Sequence, residues 1–152
     1  MNRNVLKWSA LGLIAGAGLV LLDAWYLEQY FFRVKKFDIG IKGRGKKLRL
    51  LLLTDMHLKK DFRSFHARLT KRINEINPHL ILISGDMLND DGTTNLLHLF
   101  LSRIDQQIPK VAILGNHDHR ARVENETIEN IYRQYNCQLL VNSWKAFELD
   151  GV

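Results

Sequence analysis

Short aliphatic runs alternate with longer amphipathic stretches along the chain from residue 47 onward. Residues 48–53 are aliphatic apart from Arg49, and residues 80–83 and 111–114 are continuous apolar runs, which is typical of strands buried on both faces of a parallel sheet. Two stretches between them carry apolar residues at helical spacing: Phe62, Phe65, Leu69, Ile73 and Ile76, then Leu96, Leu97, Phe100, Leu101 and Ile104. We expect Asn77-Pro78 to end the first helix. The alternation predicts an α/β domain.

The remainder of the chain continues this alternation. Apolar side chains at positions 123, 128, 131, 132 and 135 predict a third helix, and a short strand is predicted over residues 139–141. Residues 146–149 then alternate apolar and polar side chains before Asp150-Gly151, a pair typical of a hairpin turn. Because no returning strand follows this turn, we expect the sequence to stop inside a domain.

The first 35 residues have a different character, and we interpret them as an N-terminal membrane anchor or signal-anchor, with the α/β domain over 36–152. Residues 8–22 contain no charged side chain, Arg3 and Lys7 precede them, and Asp23 follows. The run is shorter than the roughly 20 residues of a full span, although residues 24–27 could extend it. Its small residues lie inside the apolar run, which favours an uncleaved anchor over a cleaved signal peptide. A buried core helix is the alternative.

Aromatic and basic residues follow the apolar run. Aromatic side chains of the kind that settle at a bilayer interface stand at Trp25, Tyr26, Tyr30, Phe31 and Phe32. Eight basic residues lie within 33–49 in a chain of net charge +6, and each gains about 1 kcal/mol near anionic headgroups. A solvated linker is the alternative, and no recognition motif supports nucleic acid as a partner. The basic flanks favour a cytoplasmic C-terminal domain on this membrane protein.

Three successive predicted strands end in polar clusters. These clusters are Asp55-Met56-His57, Gly85-Asp86 and Gly115-Asn116-His117-Asp118. Ligands of open α/β sheets bind outside the carboxyl ends of the strands, so the three clusters are expected to converge there. Carboxylate, imidazole and amide groups together suit Mn, Fe, Zn or a similar divalent ion. We expect the two glycines to permit sharp turns that direct the next side chain toward the site.

This series of motifs resembles that of the calcineurin-like metallophosphoesterases, over about the first half of such a domain. The resemblance implies the N-terminal half of an αββα sandwich, here preceded by a membrane helix. It also implies a metal-dependent phosphoesterase that hydrolyses a phosphodiester or pyrophosphate through two divalent ions, Mn, Fe or Zn. An anchor followed by basic residues is similar to membrane-associated bacterial members, some of which cleave the pyrophosphate of a lipid A precursor, and this points to a lipid-linked substrate.

The resemblance also assigns roles to individual residues. Asp55 and His57 would bind the first metal, Asp86 would bridge both metals, and Asn116 would bind the second. His117 would be the catalytic residue, facing the scissile phosphate to stabilise charge or protonate the leaving oxygen. Asp118 would orient the ring of His117.

The family pattern continues with a further histidine and a Gly-His-x-His cluster, neither of which is in this sequence. We expect His66 and His98 to be surface or boundary residues of helices, and His79 to lie at the far end of a strand from the cleft. His119, near the site, is expected not to bind metal. Asp90 and Asp91 are expected to shape a loop and cap the helix that begins near Thr93. Cys137, the one cysteine, should be a small buried side chain.

Three other interpretations compete with the enzyme hypothesis. A truncated, non-catalytic membrane protein with residual metal or phosphate binding would explain the missing histidines. Helix capping at strand-to-helix turns would explain Asp55, Asp86 and Asn116, but not the neighbouring imidazoles. A dinucleotide-binding module is disfavoured because the turn after the first strand has no glycine-rich phosphate loop.

Overall fold

The computed structural model describes residues 16–18, 32–39, 47–59, 61–90 and 93–149. The chain divides into two compact units, Met1–Gly40 and Ile41–Val152. In the first unit, residues 16–18 are helical and residues 32–39 have no regular secondary structure. The anchor predicted over residues 1–35 and the turn predicted at 150–151 lie largely outside the described residues and stay predictions. Within the described part of the chain, no helix is both long and apolar enough to cross a membrane.

The second unit is built on a parallel sheet of four strands. These are β1 (Leu50–Leu53), β2 (Leu80–Ile83), β3 (Lys110–Ala112) and β4 (Cys137–Leu139), arranged in the order β1-β2-β3-β4. The intervening helices are α1 (Ser64–Ile76), α2 (Thr94–Ser102), α3 (Asn116–Arg120) and α4 (Asn125–Gln134). The α/β class is therefore confirmed.

One face of this sheet is packed against helices and the other is partly exposed. Each strand lies beside the preceding one in the same direction, so right-handed connections place the helices on one face. Ile81 and Ile83 point to the packed face and are 0% and 2% exposed. Leu50 and Leu52 point to the opposite face and are 56% and 63% exposed. Leu80 and Val111 point the same way but are buried, at 5% and 8% exposed, so the exposed apolar surface of that face lies mainly on β1.

The strand and helix positions follow the sequence pattern with small shifts. β2 has the expected bounds, while β3 begins one residue earlier than predicted and β4 spans residues 137–139 instead of 139–141. Asn77 ends α1 in a left-handed conformation, as the Asn-Pro pair indicated. Residues 143–149, which include the alternating residues 146–149, have no regular secondary structure. Alternation alone does not make a strand where no neighbouring strand pairs with it.

The amino-terminal ends of the strands form what we call the amino edge, where polar side chains bond to the backbone. Lys110 is 1% exposed, and its Nζ donates hydrogen bonds to the carbonyls of Asp105 (3.0 Å), Ile108 (2.8 Å) and Tyr135 (3.1 Å). Burial lowers the pKa of Lys110. The thiol of Cys137 is also buried, which raises its pKa to about 12. The expectation of a small, buried cysteine side chain is confirmed.

The histidines at helices and at the amino edge have structural partners. His79 lies at the amino edge, as expected, and its Nδ1 accepts a hydrogen bond from the backbone N–H of Arg49 (2.8 Å). His98 is half-buried and its Nδ1 lies 3.1 Å from the hydroxyl of Tyr135, which fits a boundary position.

His66 departs from the sequence prediction, because it is only 7% exposed. Its Nδ1 accepts a hydrogen bond from the backbone N–H of Arg63 (3.0 Å) and so caps the first turn of α1. Its ring packs against Phe62, Phe65 and Phe100, with centroid distances of 5.3, 5.4 and 6.5 Å. Burial, and to a lesser extent the charge of Arg63, lower the pKa of His66. The helical pattern alone could not show that the imidazole serves as a buried cap.

Candidate functional site

The carboxyl-terminal ends of β1, β2 and β3 form the carboxyl edge, where the backbone leaves its usual conformations. Asp55 and His57 have φ angles of 55° and 40°, and Asp86 has 54°. Positive φ is uncommon outside glycine and costs about 1–3 kcal/mol at each such residue. The loops after β1 and β2 remain hydrogen-bonded, from His57 N to Asp86 O (2.9 Å) and from Leu58 N to Met87 O (2.8 Å). The pairing of the two loops holds this strain in place.

The strained loops bring imidazole and carboxylate groups together. Ligand atoms of His57, Asp86 and His117 all lie within 4.8 Å of one another. The two imidazole rings meet edge to face, with centroids 4.5 Å apart and planes at 88°. Asp55 joins the group through its Oδ1, which lies 3.9 Å from His57 Nε2. The convergence expected from three successive strand ends is therefore present for these four residues.

Asn116, the remaining predicted ligand, is the first residue of α3 and is exposed. It lies directly between Gly115 and His117, so the same turn that brings His117 to the site carries this amide. His119 is exposed on the same helix and is not among the three grouped ligands. The sequence predicted no helix here, because five residues are too few for a periodic pattern.

Two glycines allow the loops after β2 and β3 to approach closely. A Cβ on Gly85 would lie 2.6 Å from the backbone N of Gly115, and a Cβ on Gly115 would lie 2.2 Å from Asp86 Oδ1. Gly85 also has a φ of 92°, which confirms the expected conformational role. Gly115 has a φ of −98°, open to any residue, so its requirement is space rather than conformation.

The carboxylate that contacts the ring of His117 is not the predicted one. Asp90 Oδ1 lies 2.8 Å from His117 Nδ1, whereas both oxygens of Asp118 accept hydrogen bonds from backbone N–H groups. The expectation that Asp118 orients the ring is therefore wrong. Asp90 was expected to serve the loop and the cap of α2, but the N-cap of that helix is Thr93, without a side-chain hydrogen bond. Asp91 lies outside the described residues.

The donor set fits a divalent transition metal. Two imidazoles and two carboxylates offer nitrogen and oxygen ligands of the kind that zinc, manganese and iron accept. Two ligands at about 2.1 Å from one ion can be about 4.2 Å apart, so small side-chain movements would let the grouped atoms share an ion. Thr54 donates its hydroxyl to Asp55 Oδ2 (2.6 Å), which leaves Oδ1, the oxygen nearer His57, for a cation.

Comparison with known proteins supports the same chemistry. Residues 48–151 match the family model described as calcineurin-like phosphoesterase. An uncharacterised metallophosphoesterase of Aquifex aeolicus is 33% identical over 106 residues, which are 66% of this chain and 40% of that protein. One from Campylobacter jejuni is 28% identical over 113 residues, 72% of this chain and 29% of that protein.

A third relative has a named activity. The UDP-2,3-diacylglucosamine pyrophosphatase LpxG of Chlamydia muridarum is 22% identical over 124 residues, 78% of this chain and 38% of that protein. The chain thus spans less than half the length of each of these three relatives.

Proposed function

Because the chain belongs to the calcineurin-like phosphoesterase family, we propose that it hydrolyses a phosphodiester or pyrophosphate bond at the carboxyl edge of its sheet. One observation carries the proposal: the grouped ligand atoms of His57, Asp86 and His117, which come from three separate strand ends, lie within 4.8 Å of one another. Such convergence of titratable groups at the ligand-binding edge of an α/β sheet is a recognised indication of a catalytic site.

We assign Asp55, His57, Asp86 and Asn116 to binding of two divalent ions. When bound, the ions would supply an activated water and would neutralise charge on the phosphoryl oxygens. Asp86 is central to this assignment because its loop pairs with that of His57 and its Oδ1 accepts a hydrogen bond from His117 N (2.8 Å). Manganese, iron and zinc all suit this donor set.

His117 is assigned to the substrate rather than to a metal. Its Nδ1 faces Asp90, and a carboxylate at that nitrogen fixes the orientation and tautomer of the ring. We therefore assign Nε2, the other ring nitrogen, to the substrate, where in the protonated ring it can donate a proton to the leaving oxygen. The same contact makes Asp90 the residue that holds the ring of His117 in position.

A lipid-linked substrate and a membrane location are part of this proposal. The Chlamydia relative is named as a pyrophosphatase of UDP-2,3-diacylglucosamine, whose diacyl group is lipid in character. Arg33, Lys35 and Lys36 are exposed, and so are the apolar side chains of Phe37 (79%) and Ile39 (98%). Basic and apolar groups side by side suit a membrane surface carrying anionic headgroups, with the domain on the cytoplasmic side.

The membrane location is tested by flotation with vesicles that contain anionic lipid. We expect the full chain to float with them and to resist extraction by high salt, because residues 8–32 insert. Deleting residues 8–32 should release the protein into the soluble fraction. Complete extraction of the full chain by salt alone would show that the basic residues, rather than an anchor, make the attachment.

The activity is tested with an activated aryl phosphodiester and added Mn²⁺. We expect slow turnover from the 152-residue chain, because the assigned ligands fill only part of two coordination shells, and none from Asp86→Ala. Equal turnover in the two proteins would contradict the assignment. Metal binding without any turnover would instead favour a non-catalytic protein with residual metal or phosphate binding.

A further inference from the structure

Asp118 is a buried carboxylate beside the site that the proposed reaction does not use. It is 2% exposed and lies on α3, directly after His117. Burying a carboxylate costs free energy unless its oxygens accept hydrogen bonds. The groups that donate to Asp118 therefore indicate its structural role. These partners are backbone groups of two different loops.

One oxygen of Asp118 joins the two loops. Oδ2 accepts a hydrogen bond from Asp86 N (2.7 Å), in the loop after β2, and another from Gly115 N (2.9 Å), in the turn after β3. The other oxygen, Oδ1, accepts from Leu88 N (2.8 Å), further along the first loop. Hydrogen bonds to an ionised acceptor are roughly twice as strong as those between neutral groups.

A second side-chain hydrogen bond joins the same two loops from the opposite side. The side chain of Asp86 accepts a hydrogen bond from the backbone N–H of His117 (2.8 Å), in the turn that carries Asp118. Asp86 thus contacts Asp118 through its backbone and His117 through its carboxylate. The strained φ of Asp86, 54°, is held between these two contacts.

We infer that Asp118 is a positioning residue, a clamp that holds the Asp86 carboxylate in place for metal binding and keeps the turn that carries His117 beside it. This inference rests on the proposed metal-dependent function of the same site. An orienting group around metal ligands commonly changes metal affinity about 10–100-fold when it is removed. Removing a residue that only stabilises the fold would instead lower the free energy of unfolding and leave metal affinity unchanged.

The test compares Asp118→Asn with the wild-type 152-residue chain by calorimetric titration with Mn²⁺. Asn keeps the shape, but it has one acceptor oxygen and turns an NH₂ group toward backbone donors. We expect Mn²⁺ affinity to fall about 10–100-fold. Thr70→Val is the matched control, since Thr70 is 2% exposed and donates its hydroxyl to the carbonyl of His66, outside the site. It should lower stability and leave Mn²⁺ affinity unchanged.

If the variant fails to fold, or if the wild type binds no Mn²⁺, amide hydrogen exchange of the wild-type chain tests whether Asp118 forms these hydrogen bonds. The amides of Asp86, Leu88 and Gly115 should then exchange slowly, as buried hydrogen-bonded groups do. Unprotected amides at these positions would overturn the inference, and so would a folded Asp118→Asn protein with wild-type affinity. Absence of Mn²⁺ binding by the wild type with protected amides would contradict the proposed function while leaving the clamp in place.

Discussion

The two edges of the sheet use polar side chains in opposite ways. At the amino edge, Lys110 and His79 make their hydrogen bonds to backbone groups. At the carboxyl edge, the side chains of His57, Asp86 and His117 turn toward one another, on loops in which His57 and Asp86 have positive φ angles. At one edge of the sheet, therefore, polar side chains form hydrogen bonds with the backbone. At the other edge, polar side chains remain available to bind a ligand.

The same strands therefore carry residues that stabilise the fold at one end and residues that form the candidate site at the other. Strained backbone persists only where the surrounding structure determines it strongly, and here the pairing of the loops after β1 and β2 does so. Changes at the carboxyl edge should therefore act mainly on metal binding and turnover. Changes at the amino edge should act mainly on the free energy of unfolding.

The largest effect should come from Gly115→Ala, which tests the crowding at the carboxyl edge. The new Cβ would lie 2.2 Å from Asp86 Oδ1, so either the carboxylate or the turn must move. Loss of the carboxylate position should reduce Mn²⁺ affinity at least about 100-fold, measured by titration calorimetry. Gly16→Ala is the control, because no atom of the described part of the chain lies within 4 Å of the Cβ it would add. Unchanged affinity in Gly115→Ala would mean that the two loops are not held together as described.

A second prediction separates chemistry from binding within the carboxyl edge. His117→Ala should lower turnover about 10²–10⁴-fold, because a positioned acid or base contributes that much, while bound metal stays near the wild-type level. Turnover and metal content are measured on the same samples. Asp90→Asn should give a smaller loss of turnover, since the ring of His117 keeps a partner at Nδ1. Metal-free His117→Ala protein would assign this imidazole to coordination.

Lys110→Met should destabilise the amino edge without changing the site at the carboxyl edge. Removing the ammonium group takes one donor from each of three carbonyls, of which that of Asp105 still accepts from the N–H of Ile108. Because a buried charge is removed at the same time, we expect a net loss of about 2 kcal/mol in the free energy of unfolding. Urea denaturation measures this loss, and Mn²⁺ affinity should not change. The exposed Lys71→Met, on α1, should remain within about 0.5 kcal/mol of wild type. A fall in Mn²⁺ affinity in Lys110→Met would show that the edges are coupled.

The smallest effect is a pH dependence from His66, whose pKa is lowered from 6.5 by burial. Above pH 6.5 this residue is neutral in both the folded and the unfolded chain. Below pH 6.5 the unfolded chain binds a proton that the folded chain does not, so stability should fall by up to about 1.4 kcal/mol per pH unit until the folded pKa is reached. His66→Gln keeps a capping acceptor without titrating, and its unfolding curves should lose this component. Identical pH profiles would exclude His66 as its source.

Much of this architecture could be predicted from the sequence, because buried parallel strands and amphipathic helices have distinct periods. The convergence of His57, Asp86 and His117 was equally predictable, since their position at strand ends follows from the strands. The partner of His117 was not, because Asp118 is its neighbour in sequence whereas Asp90 lies 27 residues earlier, and only the path of the loop after β2 brings Asp90 to the ring. The cap made by His66 escaped prediction for a similar reason, as its burial depends on Phe100 from another helix.

The order of the strands has a consequence for synthesis. Because β1 to β4 lie side by side in the order in which they are made, each new strand can pair with the one just completed. Domains generally fold from the N-terminus as the ribosome releases them, and short-range pairing is favourable for rapid folding. The clamp and the grouped ligands are complete by Asp118, before β4 begins at Cys137. A nascent chain can therefore assemble its metal ligands while its sheet is still growing.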